Sequence, residues 1–265
     1  KGGMAMTAEI IAVGTELLLG DILNTNAQFL SQQLAQLGIT VHFQSVVGDN
    51  PARLESVVRL AMQRSDLLVF SGGLGPTDDD LTKQTVARAF EDELRFDEEE
   101  LARIRAFFAA WGRTMPPTNE KQAYVPVRGR KLHNANGTAP GMLFEAKAGG
   151  KWAVLLPGPP AELQPMFLNE VKPWLAGLTD CALHSLVLRV AGIGESHLEG
   201  KVAHLLAGEN PTAALYAKTG EVFIRITAKA QDAAAAEAMC RAFAGEFYAV
   251  LGDAIYGEDS ETLAA

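Results

Sequence analysis

The sequence predicts an α/β protein, in which a larger domain built on a mostly parallel, helix-covered sheet precedes a smaller α+β domain. Three observations carry this. From residue 9 to residue 70, short apolar runs alternate with helical patterns, the pitch of β-α-β units joined by right-handed crossovers. The chain has 265 residues, 48% hydrophobic and 21% charged, which suits two domains with real cores. Beyond residue 176 the pattern changes to strand, helix, hairpin, helix and strand.

Residues 9–13 form a short apolar strand that runs into Gly14-Thr15-Glu16. Phe29, Leu30, Leu34 and Leu37 then share one helix face, with Gly38 in the C′ position. Ile39, Val41, Phe43 and Val47 alternate as in a strand. Asn50 can cap, and Pro51 open, a helix that turns Leu54, Val57, Val58, Ala61 and Met62 inward. Residues 67–70 read as a buried parallel strand, and Val86, Ala89 and Phe90 have helical spacing. An acidic stretch from 91 to 100 leads into an amphipathic helix through Leu101, Ile104, Phe107, Phe108 and Trp111, with residues 97–100 read as a solvated helix start. A loop at 115–119 and a short helical piece at 121–124 follow. Gly149-Gly150, between apolar runs at 142–145 and 152–156, signals a hairpin, and 162–175 reads as a helix.

In the second domain, 186–190 is a strand and Gly192-Ile193-Gly194-Glu195-Ser196 opens a helix carrying Leu198, Val202, Leu205 and Leu206. A hairpin at 213–217 and 222–228 turns around Thr219-Gly220, followed by an alanine-rich helix over 233–251 and a last strand near Ile255. That order belongs to an α+β sandwich of the split β-α-β or KH-like kind. Residues 178–265 carry six Lys and Arg against twelve Asp and Glu, so the RNA binding that such a shape suggests is not expected. A dimerisation or packing module is. The expected domains are 6–176 and 177–257, with 258–265 starting a linker.

The formal net charge of −9 argues against nucleic acid or an anionic membrane as the main partner, since both need a basic footprint. Cys181 and Cys240 have neither zinc nor disulfide-framework spacing. No apolar run approaches the roughly 20 residues of a membrane span. Residues 1–6 lack the apolar region of a signal peptide and read as an appended lead-in before a start at Met4 or Met6. A cytoplasmic protein is expected.

The strongest functional clue is Ser71-Gly72-Gly73-Leu74-Gly75-Pro76-Thr77-Asp78-Asp79-Asp80-Leu81-Thr82. A strand, a glycine turn and a helix start in that order let backbone N–H groups approach a phosphate. Three adjacent aspartates would repel that phosphate unless a hard divalent cation sat between them. Aspartates also cap helices, but three of them after Gly-Gly-x-Gly-Pro-Thr favour a phosphate and metal site. Ligands of open α/β sheets bind beyond the C-terminal strand ends, where Gly14-Thr15-Glu16, Asp49 and residues 71–80 all fall. The loops at 134–141 and 157–160 bracket the same end, and their composition alone reads as turn chemistry. There is no P-loop, and Gly192-Ile193-Gly194 lacks a third glycine. The five histidines show no ligand spacing, and neither Ser71 nor Ser196 sits in a nucleophile elbow.

Five motifs in order resemble the CinA family of competence/damage-inducible proteins. They are Gly14-Thr15-Glu16-Leu17, Asn24-Thr25-Asn26, Gly72-Gly73-Leu74-Gly75-Pro76-Thr77-x-Asp79-Asp80, Asn136-Gly137-Thr138-Ala139-Pro140-Gly141 and Leu156-Pro157-Gly158-Pro159-Pro160-x-Glu162. The segment 192–196 is similar to that family's second domain. The first domain also resembles the three-layer molybdopterin-binding fold of MoaB/MogA proteins, through Gly72-Gly73-x-Gly75 and the acids Asp80 and Asp49. This resemblance implies a metal-dependent pyrophosphatase that splits ADP-ribose into AMP and ribose 5-phosphate, acting as a homodimer. It implies that Asp79 and Asp80 carry Mg²⁺, Mn²⁺ or Co²⁺, and that Asp49 or Glu16 serves as general base. Amides of Gly72 to Gly75, Gly137 and Thr138 would hold the diphosphate, with Thr77 and Thr82 as phosphate donors or caps. Gly14, Thr15, Asn26, Asn136, Pro157 and Gly158 complete the implied substrate site. Family members often add a C-terminal nicotinamide-nucleotide amidohydrolase domain, whose first helix would begin where this sequence stops. The alternatives are a protein that binds or adenylylates molybdopterin, and a non-catalytic nucleotide-binding scaffold.

Overall fold

The computed structural model describes residues 6–178, 182–218 and 220–261, and the chain divides into two compact units near residue 178. Met4, Cys181, Thr219 and residues 262–265, all named above, lie outside the described residues.

The first unit opens with β1 (Thr7–Val13), α1 (Thr15–Leu19), α2 (Thr25–Gln36), β2 (Thr40–Val47), α3 (Pro51–Arg64), β3 (Leu67–Ser71) and α4 (Thr82–Ala89). It continues with β4 (Leu94–Phe96), α5 (Glu98–Ala110), a 3₁₀ stretch at Pro117–Ala123, β5 (Tyr124–Pro126) and β6 (Arg130–Leu132). It closes with β7 (Gly141–Glu145), β8 (Trp152–Leu156), α6 (Pro160–Met166), a π turn at Phe167–Val171 and α7 (Lys172–Ala176). One six-stranded sheet runs β2-β1-β3-β8-β7-β6. Strands β2, β1, β3 and β8 are parallel, and β7 and β6 turn back antiparallel.

Strand alternation divides the core between the two sheet faces. Ile11, Val13, Leu68, Phe70 and Leu155 pack with Leu54, Val58 and Ala61 of α3 and with Val86 and Ala87 of α4. Ile10, Val69 and Val154 point the other way and are buried. On that side α2 and α7 are tied by Lys172 Nζ donating to Gln33 Oε1 at 2.8 Å, and Phe29 meets the Phe167 ring edge-on at 5.9 Å. All of β3 is buried, as a central parallel strand should be, and each large side chain there contributes roughly 1.5–3 kcal/mol. Because the four parallel strands end on one edge, Asp49, Gly14, Gly72 and Pro157 are delivered to the same place.

The second unit contains β9 (Ala182–Ala191), α8 (Glu195–Leu206), β10 (Thr212–Lys218), β11 (Glu221–Ala230), α9 (Ala233–Leu251), a 3₁₀ turn at Gly252–Ala254 and β12 (Ile255–Glu258). Its sheet is antiparallel in the order β10-β11-β9-β12. Leu188, Val190, Ile224 and Ile226 bury one face of that sheet against Leu198 and Val202 of α8 and Ala244 and Phe247 of α9. Cys240 is a buried free thiol on α9.

Three expectations are corrected. Phe43 does not join the core. The β1–β2 register steps over His42, pairing Val41 with Ala8 but Phe43 with Glu9, so those two side chains take opposite faces. Phe43, on an edge strand, is 40% exposed beneath the Arg64 guanidinium, 3.7 Å from its ring. The start of α5 is not solvated throughout. Asp97 and Glu100 are buried, Asp97 caps the helix by accepting from the Glu100 amide at 3.1 Å, and Lys131 pairs with Asp97 at 3.1 Å. The helix expected over 162–175 is divided by the π turn. Pro173 cannot donate, and its ring crowds the carbonyl four residues back, within that turn.

Candidate functional site

At the C-terminal edge of the parallel strands lies a cavity of about 420 Å³. Its wall includes Gly14, Glu16, Asp49, Gly72, Gly73, Gly75, Asp79, Asp80, Thr138, Pro157, Gly158 and Glu162. Residues as far apart in sequence as Gly14 and Glu162 thus meet because four strand ends coincide. Five of the lining residues are carboxylates, and none is a lysine or arginine.

The turn after β3 is shaped by its glycines. Gly72 and Gly73 have φ of 98° and 68°, left-handed conformations that L side chains avoid. A methyl group on Gly72 would strike the Val13 carbonyl, and one on Gly73 would strike the Thr82 hydroxyl. The amides of Gly73, Leu74 and Gly75 make no hydrogen bond to the described residues. The expectation for Gly72 is corrected, since its amide donates to the Leu156 carbonyl at 3.0 Å and is not free for phosphate. The Gly14 amide is likewise engaged, with the Val47 carbonyl at 3.0 Å.

The acids are held to different degrees. Asp80 Oδ2 accepts from the Thr77 amide at 2.9 Å and the Thr77 hydroxyl at 2.5 Å. Lys121 in turn donates from Nζ to the Thr77 carbonyl. Asp79 is exposed, and hydrogen bonding from Thr77, then from its own amide, holds its carboxyl below the usual range. Asp49 Oδ2 accepts from the Thr15 amide and hydroxyl at 3.0 and 2.8 Å. Glu16 folds back over Gly14, and its carboxylate has no hydrogen bond among the described residues. Burial pushes the Glu162 carboxyl up, opposed by the Asn134 hydrogen bond and the Arg103 charge.

The remaining implied residues stand behind the cavity wall. Thr82 is fully buried, and its hydroxyl donates to the Gly72 carbonyl at 3.2 Å, so it clasps the turn. Asn136 Nδ2 donates to the Ala161 carbonyl at 2.7 Å. Gly137 lies so close to the Glu162 carboxylate that a methyl group would collide with it. Arg103 of α5 fixes this loop by donating to the carbonyls of Asn134, Gly137 and Thr138 at 2.9, 3.0 and 2.8 Å. Asn26 lines a neighbouring cavity. Glu162 lines the cavity although no site role is implied for it by the sequence. Its signal is the Pro-Gly-Pro-Pro-x-Glu run that places it.

Among the described residues, no group of three or more His, Cys, Asp or Glu is gathered closely enough to hold a metal ion alone. A magnesium-like ion does not need one, since it takes one or two carboxylates and completes its shell with phosphate oxygens and water. The oxygen-only donors of Asp79 and Asp80 fit such an ion. Beside Asp80, Lys83 of α4 is buried and donates from Nζ to the carbonyls of Lys121 and Tyr124. Burial, then the Lys121 charge, lowers its pKa to about 7.

Residues 9–177 match the family described as "Probable molybdopterin binding domain", and residues 185–257 match "Damage-inducible protein CinA KH domain". A CinA-like protein from Dictyoglomus turgidum is 50% identical over 259 residues, which is 97% of this chain and 62% of the relative. One from Dictyoglomus thermophilum is 49% identical over the same shares. The chain therefore spans 62% of the length of these curated relatives. The crystal structure of the protein CinA, of unknown function, from Thermoplasma acidophilum is similar with a TM-score of 0.58 and 37% identity. That likeness covers 64% of this chain and 98% of the other. These matches bear out the α/β class and the KH-like second domain. Among the described residues, no helix is long and apolar enough to cross a membrane.

Proposed function

The chain belongs to the CinA family, and from that premise we propose that its first unit is a divalent-metal-dependent pyrophosphatase hydrolysing ADP-ribose to AMP and ribose 5-phosphate. One observation carries the reading. Five carboxylates and no basic side chain line a cavity that also presents unbonded backbone amides. Amides suit phosphoryl oxygens, and the acids suit them only with a cation shared between the two.

Asp79 and Asp80 would hold Mg²⁺, Mn²⁺ or Co²⁺, which when bound stabilises the charge growing on the phosphoryl oxygens. Thr77 positions Asp80 through two hydrogen bonds to one oxygen, leaving the other for the ion. The amides of Gly73, Leu74, Gly75 and Thr138 orient the diphosphate. Glu16, whose oxygens are unengaged, takes the proton of the attacking water as the P–O–P bond opens. Asp49, anchored to Thr15, orients that water. The test is AMP release from ADP-ribose over a panel of divalent metals, with a chelator arm and the Asp80→Asn variant. Metal-dependent AMP release lost in Asp80→Asn supports the assignment. Unchanged release in the variant, or in chelator, disposes of it.

The family description supports a second reading, binding of molybdopterin in the same cavity, of which adenylylation would be the catalytic form. Supplying molybdopterin with ATP and looking for an adenylylated product distinguishes the two.

A further inference from the structure

The acid-lined cavity adjoins a second one of about 320 Å³, with which it shares Val13, Glu16, Gly158 and Pro159. The two differ in kind. Leu17, Ile22 and Leu23 wall the second cavity together with Pro159 and Pro160, and Glu16 is its one acid. Ile22 and Leu23 are 53% and 86% exposed, so apolar surface lies uncovered beside the place where a ligand would be anchored. In this wall Asn26 has a defined orientation. Its Nδ2 donates to the Gly158 carbonyl at 2.7 Å, which leaves Oδ1 as a pure acceptor. That oxygen is buried and meets no donor, an arrangement proteins rarely tolerate without reason. Asn24, by contrast, already accepts from the Ala27 amide at 3.1 Å.

We propose that the second cavity receives the nucleobase of the substrate, and that Asn26 Oδ1 accepts a hydrogen bond from its exocyclic amino group. The proposal rests on the pyrophosphatase reading of the adjoining cavity and names the half of the substrate that this side takes. A flat base offers two apolar faces to leucine, isoleucine and proline walls. A ribose would turn its hydroxyls against them. The lone acceptor then selects among bases, because adenine presents an N–H donor where hypoxanthine presents a carbonyl oxygen. An acceptor facing an acceptor leaves both unpaired.

The experiment measures binding of AMP, IMP and ribose 5-phosphate to the intact chain in Mg²⁺, alongside hydrolysis of ADP-ribose and its hypoxanthine analogue. AMP should bind about tenfold more tightly than IMP, the worth of one neutral hydrogen bond and its unpaired alternative. Asn26→Ala should bring that ratio close to one. Because Asn26 also ties down Gly158, a second variant guards the result. Leu23→Asn, at a highly exposed position, should weaken AMP and IMP alike by several-fold and leave ribose 5-phosphate unchanged. Equal binding of AMP and IMP by the unaltered chain, or no AMP binding, overturns the proposal. So does unchanged AMP binding in Leu23→Asn. Hydrolysis of ADP-ribose and its hypoxanthine analogue at equal kcat/KM removes the subsite and keeps the pyrophosphatase. A preference for AMP without hydrolysis does the reverse.

Discussion

Glycine-rich loops follow a central strand in both units, and their surroundings differ. At Gly72, Gly73 and Gly75 of the first unit an added methyl group would collide with Val13, Thr82 and Asp80, whereas at Gly192 and Gly194 of the second it would meet nothing within 4 Å among the described residues. The charged groups differ in the same sense. Arg189 of the second unit pairs with Glu221 at 3.2 Å, and Tyr256 donates to the same carboxylate. Around the first unit's glycine turn, among the described residues, Glu16 keeps its oxygens unengaged and Asp80 keeps one. Composition alone does not separate a turn from a binding loop. Packing that forbids a Cβ, with acids left unneutralised beside it, does.

That contrast can be broken by mutation. The largest effect is expected at Asp80. Asp80→Asn should lower metal-dependent AMP release by about 100-fold or more, while Glu221→Gln, in the paired cluster of the second unit, should leave it unchanged. Equal losses would erase the distinction. Stability gives the next contrast. Glu9 is wholly buried on β1, where it accepts from Arg64 at 2.8 and 2.9 Å and from Ser45 at 2.6 Å. Arg64→Met strands that carboxylate and should cost about 3 kcal/mol, whereas Arg189→Met, whose Glu221 partner is 20% exposed and keeps Tyr256 as a donor, should cost about 1 kcal/mol. Denaturant midpoints at unchanged slope measure both.

The glycines themselves give a smaller difference. Gly73→Ala combines a left-handed φ with a collision and should cost about 2–3 kcal/mol, but Gly194→Ala should stay within about 0.5 kcal/mol. Subtlest is a pH slope. Lys83, lowered to about 7, binds fewer protons when folded than when unfolded between that pH and its ordinary value near 10.5. Its contribution to stability therefore rises with pH across this window and is least below pH 7. Lys83→Met should abolish the rise, so a constant gap between the two proteins from pH 6 to 10 would contradict the assignment.

Much of this architecture is legible in the residues because periodicity reports burial. The alanine-rich helix, expected over 233–251, spans Ala233–Leu251, since a long run with one apolar face has few alternatives. Strands β4, β5 and β6, three residues each, escape notice because so short a run has no period. The alternation of Val41 with Phe43 misleads because the inserted His42 puts the two on opposite faces, and Phe43 then lies on an edge strand that a residue pattern does not mark. At the site, the glycine turn and its acids are visible as a motif. The engaged Gly72 amide, the raised Glu162 carboxyl and the orphaned Asn26 oxygen are not. The first and last depend on a partner far away in sequence, Leu156 for Gly72 and Gly158 for Asn26, and the Glu162 shift depends on burial by the folded loops around it.

The physical premise is that an acidic cavity admits a diphosphate only in company with a cation. Titration calorimetry of the chain with ADP-ribose, in Mg²⁺ and again in chelator, tests it without requiring turnover in the chelator arm. Binding in Mg²⁺ that is lost in chelator is the expected result. Equally tight binding in both solutions would contradict it, because the five carboxylates would then be tolerating the substrate's charge unaided.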